Sequence, residues 1–302
     1  MTRFGTDDTV AKEASQPREH TPFARIKGRH LVLWLVASFV ITILVHILAP
    51  VPHHGDRRDN LLPDAVDALA FSTTLFAGAW LLARAAGLSF RGTYGDLPSA
   101  RVMARLCALA FPLLGLAFVT TYLVYAPLSL VFPDGVQAWL FEDAFVFYSA
   151  SHPYPLAGNA LILLAGVVAA PIAEEWFFRG LLWRRWAHRS GAVQATLASS
   201  ALFGLLHVDP IGAFVFGLVM CAVYARYGTL WAPTIVHGAG NGLVWALSVL
   251  DAHGVLSTEL DSVAQLRAAW WLPIAGVVLA APWLFRWRAR YGPMSGWRVA
   301  ER

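Results

Sequence analysis

Apolar residues in this chain do not alternate, nor do they recur on one face of a short amphipathic helix. They fall into long runs separated by short polar stretches. A helix that crosses the hydrocarbon of a bilayer needs about 20 largely apolar residues. Eight runs approach that length, at roughly 31–49, 65–86, 103–125, 157–187, 193–208, 211–226, 230–250 and 269–287. The fourth is long and the fifth short. The pattern predicts an all-α polytopic membrane protein of about eight transmembrane helices, with helices four to seven as its chemical core. Between the third and fourth runs, the stretch from Pro127 to Pro155 carries Trp139-Leu140-Phe141 and Phe145-Val146-Phe147-Tyr148, which suits a re-entrant or interfacial helix. The expected organisation is a disordered tail at 1–30, N-terminal transmembrane helices and loops at 31–150, a core at 151–250, and a last helix with a basic tail at 251–302.

Composition agrees with the pattern. Hydrophobic residues make up 57% of the 302 and charged residues 14%, whereas a soluble domain carries about 25% charged residues. Thirteen Trp and an aromatic share of 13% suit side chains that anchor at bilayer interfaces. The net charge of +4 does not call for nucleic acid, because the basic residues sit in short runs beside apolar spans. They also alternate by loop. Arg84, Arg91, Arg101 and Arg105 follow the second span, Arg184, Arg185 and Arg189 the fourth, Arg226 the sixth, and Arg286, Arg288 and Arg290 the last. The intervening loops are acidic, with Asp134, Glu142 and Asp143 in one and Asp251, Glu259 and Asp261 in another; Arg57 and Arg58 are the exception. By the positive-inside rule both termini are expected in the cytoplasm, and the short loops and lack of Asn-x-Ser/Thr sequons suggest a bacterial inner membrane. Cys107 and Cys221 both fall within apolar spans, so neither a disulfide nor a Cys-based metal site is expected. The first apolar run lacks a small-residue cleavage signature and reads as a retained span.

A few polar residues interrupt the apolar runs, and they carry the candidate chemistry. In the fourth, Ala173-Glu174-Glu175-Trp176-Phe177-Phe178-Arg179-Gly180 places two carboxylates and a guanidinium where each charge costs roughly 2.5–3.5 kcal/mol to insert. Glu175 and Arg179 share a helix face and can pair, while Glu174 points about 100° away. One carboxylate can therefore face a site while its neighbour is held by Arg179. His207 ends the fifth run, and His237 and Asn241 lie four apart in the seventh. If the fourth and fifth spans turn at Arg189-Ser190-Gly191, then Glu174 and His207 stand level, each roughly 24 Å from the turn. His237 is only roughly 13 Å beyond Gly228, a gap that tilt or a kink at Pro233 would have to close. A carboxylate, two imidazoles and an amide suit attack of water on a carbonyl. Glu174 would take a proton from water that His207 orients, and His237 with Asn241 would donate hydrogen bonds to the oxyanion. No serine or cysteine nucleophile is needed. Phe203 reads as a packing wall and Asp209, next to a proline, as a helix cap.

The ordered motifs Glu-Glu-x-x-x-Arg, Phe-x-x-x-His and His-x-x-x-Asn, with the flanks Ser199 to His207 and Phe178-Arg179-Gly180, resemble the CAAX-processing and bacteriocin-processing (CPBP, or Abi) family of glutamic intramembrane proteases. The resemblance covers roughly 155–250. It implies an all-helical peptidase with Glu174 as base, His207 as its partner on the water, and His237 with Asn241 as the oxyanion hole. Glu175 and Arg179 would give electrostatic support. It implies no cofactor and no metal, and the partners would be a membrane-associated protein or peptide substrate and the bilayer. Three other readings stand beside it. A zinc peptidase would use His207, His237 and a glutamate, though no His-Glu-x-x-His helix is present. A non-catalytic scaffold or immunity protein would keep the fold alone. A proton-coupled transporter would use Glu174 as carrier, though no repeat symmetry is visible.

Overall fold

The structure is a computed structural model that describes residues 22–49, 51, 61–142, 146–151, 154–256 and 260–291. Residues 1–21 of the expected tail, His53, His54, Arg57, Arg58, Asp143, Phe145, Glu259 and the basic end from 292 onward lie outside the described residues. Among the described residues every regular element is helical. A short turn, α1 (Pro22–Arg25), precedes α2 (Gly28–Leu48) and α3 (Leu61–Ala85). Then come α4 (Phe90–Tyr94), and α5 (Ala100–Cys107) running through a two-residue break into α6 (Ala110–Val131). After α7 (Pro133–Gln137) and a π-helical turn over Ala138–Glu142 comes α8, the long helix Pro155–Ser190. The chain ends in α9 (Ala192–Leu205), α10 (Pro210–Tyr227), α11 (Trp231–Ala252), α12 (Val263–Ala268) and α13 (Leu272–Tyr291).

The eight apolar runs thus fold as eight helices or helix pairs. Five are long and apolar enough to cross a membrane: α2, α3, the joined α5–α6, α8 and α10. Helix α9 and residues 272–286 of α13 are shorter apolar segments. Helix α11 is 22 residues long, but its apolar run is interrupted by His237 and Asn241. The end of the expected disordered tail is instead ordered. Ile26 is buried, and Phe23 lies under the Arg184 guanidinium of α8 at 4.9 Å, so apolar contact with α8 holds residues that composition alone assigns to a tail. The stretch after Pro127 also differs from expectation. Helix α6 continues through that proline to Val131, and among the described residues the short α7 and its π turn are the helical elements between it and Pro155.

The turns have local causes. Gly191 separates α8 from α9 at φ 92°, ψ 160°, a region essentially reserved for glycine. This is the predicted hairpin. Gly228 ends α10 in the left-handed conformation. Asp209 caps α10 by accepting from Gly212 N–H at 2.9 Å, with Pro210 at the first helical position. Close helix crossings use small residues. A Cβ on Gly115 of α6 would sit 2.5 Å from the Gly276 carbonyl of α13, and one on Gly217 of α10 would sit 2.9 Å from Ser200 of α9.

Helix α8 is the centre of the molecule, touching α3, α4, α9, α10 and α11. Trp176, Phe177, Phe178, Leu181, Leu182 and Trp183 are at most 1% exposed, although consecutive positions point all round the helix. A helix that is apolar all round has to be enclosed by others. Glu175 and Arg179, in this enclosed stretch of α8, are therefore deep inside the bundle.

Candidate active site

Two π-helical stretches, Leu164–Ala169 and Trp176–Trp183, flank the short α-helical segment Ala170–Glu175 that carries both glutamates. The upstream one leaves a backbone acceptor open. Ala170 N–H bonds back five residues to the Ala165 carbonyl, and Pro171 has no N–H to give. The Gly166 carbonyl has thus lost both the donor four residues on and the donor five residues on. Asn241 of α11 supplies the missing hydrogen bond, its Nδ2 donating to Gly166 O at 2.7 Å. One turn earlier, Gly238 lets α11 close on the neighbouring carbonyl; a Cβ there would sit 2.7 Å from Val167 O. Asn241 and Gly238 therefore dock α11 on the irregular turn of α8 and bring His237 to the glutamates. No kink is required. Pro233 lies in the first turn of α11, where a missing N–H breaks no helical bond.

Around His237 four charged or ionisable groups meet. Glu175 is fully buried and Arg179 is 1% exposed. Arg179 Nη1 donates to Glu175 Oε1 at 2.9 Å, and His237 Nδ1 is 3.0 Å from the same oxygen. An ionised carboxylate only accepts, so Nδ1 carries the proton in that contact. The other ring nitrogen, Nε2, is 4.0 Å from Glu174 Oε2, beyond hydrogen-bond reach. The Arg179 guanidinium lies 4.6 Å over the Phe203 ring, a cation–π contact stronger in a dry site than in water. The two glutamates are held unequally. Glu175 is fixed by two donors, both on Oε1, whereas Glu174 has none among the described residues; the Oε2 atoms of both glutamates are buried with no donor reaching them.

His207 stands just past α9. Its Nδ1 is 2.7 Å from the Phe203 carbonyl; a carbonyl cannot donate, so Nδ1 bears the proton and Nε2 is the open nitrogen. Its ring stacks on Phe203 at 4.3 Å, and the edge of His237 meets the same Phe203 ring at 6.2 Å. Phe203, expected as a packing wall, thus joins His207, His237 and Arg179. The turn after His207 is tied from the N-terminal half of the chain. Val208 O accepts from Tyr125 OH and from Trp139 Nε1, both at 2.7 Å. Asp209 Oδ2 accepts from the Thr121 hydroxyl at 3.1 Å and the Thr120 hydroxyl at 3.3 Å. Sequence reading missed these four residues, which lie about 70 to 90 positions upstream of their partners and carry no motif.

A similar tie fixes the start of α11. The Tyr94 carbonyl accepts from Leu230 N–H and the Thr229 hydroxyl, both at 2.8 Å, while Tyr94 OH donates to Ile172 O on α8 at 2.9 Å. Burial pushes the Tyr94 phenol well above its ordinary pKa. Among the described residues no three His, Cys, Asp or Glu side chains form a group suited to a metal ion.

The structure thus brings Glu174, Glu175, Arg179 and His237 into one cluster. It connects His207 to them through Phe203, and Asn241 through the docking of α11. Residues 156–243 match the family described as type II CAAX prenyl endopeptidase Rce1-like. The Bacillus subtilis (strain 168) protein YdiL, whose name describes a membrane peptidase, is 24% identical over 102 residues. The match takes in 33% of this chain and 42% of YdiL, so the chain spans about two fifths of that relative. No solved structure matches the chain. The family match falls on the helices that assemble this cluster, and over that segment the chain is similar to the CAAX-processing and bacteriocin-processing family.

Proposed function

We propose that this protein is a glutamic-type intramembrane endopeptidase, with Glu174 as its base. The observation that carries the reading is the unequal holding of the two glutamates. Glu175 is held through Oε1 by Arg179 and His237, its Oε2 being buried without a donor, while Glu174 has no hydrogen-bond donor among the described residues and its buried Oε2 lies 4.0 Å from His237 Nε2. Such a carboxylate can accept a proton from water. The water's oxygen then attacks the scissile carbonyl, and the proton on Glu174 passes to the departing amine. His207, with Nδ1–H committed to Phe203 O, offers Nε2 to the water. His237 in its protonated form donates from Nε2 to the oxyanion, and the Glu175–Arg179 pair holds its other face. Asn241 spends one amide hydrogen on Gly166 O and has a second for the oxyanion. Residues 151–250 form the catalytic core in this reading. The substrate is a membrane-associated protein or peptide, met in a bacterial inner membrane with both termini of the chain in the cytoplasm.

A zinc mechanism through Glu175 is less well supported, because a guanidinium already lies on its Oε1. Purified protein incubated with solubilised membrane proteins of its host, with and without a zinc chelator, tests the proposal. The account expects cleavage that survives the chelator and is lost in Glu174→Gln and His207→Ala. Cleavage abolished by the chelator and restored by zinc, or retained in Glu174→Gln, overturns it.

A further inference from the structure

Helices α6 and α13 touch at Gly115 and Gly276, where bare backbone meets bare backbone. From that crossing the chain runs ten residues back to Arg105 and ten residues on to Arg286, roughly 15 Å along each helix. Both paths lead to the same end of the bundle. The helices part on the way, and the helical break after Cys107 and Pro282 inside α13 lie along the opening. The result is a groove of about 770 Å³. Its lining includes the apolar Leu109, Pro112, Leu279 and Pro282 and the basic Arg105, Arg226 and Arg286. All three arginines are exposed. Helices α5, α6, α10 and α13 contain no Asp or Glu, and among the described residues no acidic side chain lines the groove. Trp283 and Tyr227 stand beside the cations, the residue types found at headgroup level.

We propose that this groove binds one anionic phospholipid, with an acyl chain in the apolar wedge and the headgroup phosphate on Arg105, Arg226 and Arg286. A largely apolar cleft that also presents three guanidiniums matches a lipid in both polarity and charge. Basic pockets between transmembrane helices recognise acidic headgroups in this way. Guanidinium forks suit phosphate oxygens. The site lies on α5, α6, α10 and α13 and uses none of the residues proposed for catalysis.

The test is native mass spectrometry of the purified full-length protein with phosphatidylglycerol or phosphatidylcholine. It is joined by crosslinking with a phosphatidylglycerol that carries a diazirine in mid-chain. The expected result is one retained phosphatidylglycerol, several-fold preferred over phosphatidylcholine, with crosslinks in residues 109–116 and 276–283. Removing each positive charge (Arg105→Gln, Arg226→Gln, Arg286→Gln) should weaken retention about fivefold, while Arg91→Gln leaves it unchanged. Glycerophosphate without acyl chains should not compete. Equal retention of the two lipids by the wild type overturns the proposal without recourse to any variant. So do crosslinks confined to the other basic groove, at Lys27, Arg29, Arg185 and Arg189, and so does competition by glycerophosphate.

Discussion

Replacing Arg179 with methionine is the most informative perturbation of the cluster. The substitution keeps chain length and apolar bulk while removing the charge. Arg179 is 1% exposed and Glu175 fully buried, with a 2.9 Å contact between them. Removing one partner of a buried pair leaves the other charge uncompensated and costs about 3–5 kcal/mol. An exposed pair would lose only about 0–1 kcal/mol. The lost contact over the Phe203 ring at 4.6 Å adds to the cost, up to about 2 kcal/mol in a dry site. The expected loss is therefore at least about 3 kcal/mol, read from reversible unfolding in mixed micelles of SDS and a neutral detergent. The cost comes from the stranded carboxylate, so neutralising Glu175 as well should recover part of it. In Glu175→Gln the amide oxygen can still accept from His237 Nδ1. The double variant should be more stable than the sum of the singles by about 0.5–3 kcal/mol. A cost below about 1 kcal/mol for Arg179→Met, or strict additivity in the double variant, would refute the argument.

Gly238→Val places a side chain against Val167 O and should cost about 1–3 kcal/mol through overpacking, with activity lost in parallel because His237 is carried away from Glu174. Asn241→Ala strands the Gly166 carbonyl and should lower stability by about 1–3 kcal/mol in the same unfolding assay, a loss that a residue acting only on the oxyanion would not show. Tyr125→Phe and Trp139→Phe each remove a donor to Val208 O; each should cost about 0.5–1.5 kcal/mol and lower kcat more than it raises KM, because the affected turn carries His207. Tyr94 is held protonated by burial. Its folded pKa lies above its unfolded value, so its stabilising effect is complete below about pH 10 and declines as the pH rises further. Tyr94→Phe should flatten that alkaline loss in an unfolding series across pH.

Much of the architecture is visible in the apolar runs, because a bilayer leaves the backbone few alternatives to helices of set length. The hairpin at Gly191 and the Glu175–Arg179 pair were equally legible, since both depend on neighbours within one turn. Three features were not. The upstream π-helical turn of α8, over Leu164–Ala169, reflects competition for backbone donors around Pro171, which residue types alone do not fix. The bond from Asn241 to Gly166 spans 75 positions and answers that local defect. The ties from Thr120, Thr121, Tyr125 and Trp139 to the turn after His207 come from helices outside the matched segment, where nothing in the sequence marks a site. The gap in depth between His237 and Glu174, left for tilt or a kink at Pro233 to close, has a related origin. Depth was counted along straight helices, whereas the docking of α11 on the irregular turn of α8 sets its actual height.

The most direct measurement of the central claim compares the termini of membrane proteins in the native host. Cells carrying the wild type are set against Glu174→Ala and His207→Ala strains with equal amounts of the protein. If the account holds, the same set of new termini vanishes in both variant strains and is absent from neither wild-type replicate. Unchanged termini in the Glu174→Ala strain, at equal protein level, would contradict catalysis by this glutamate.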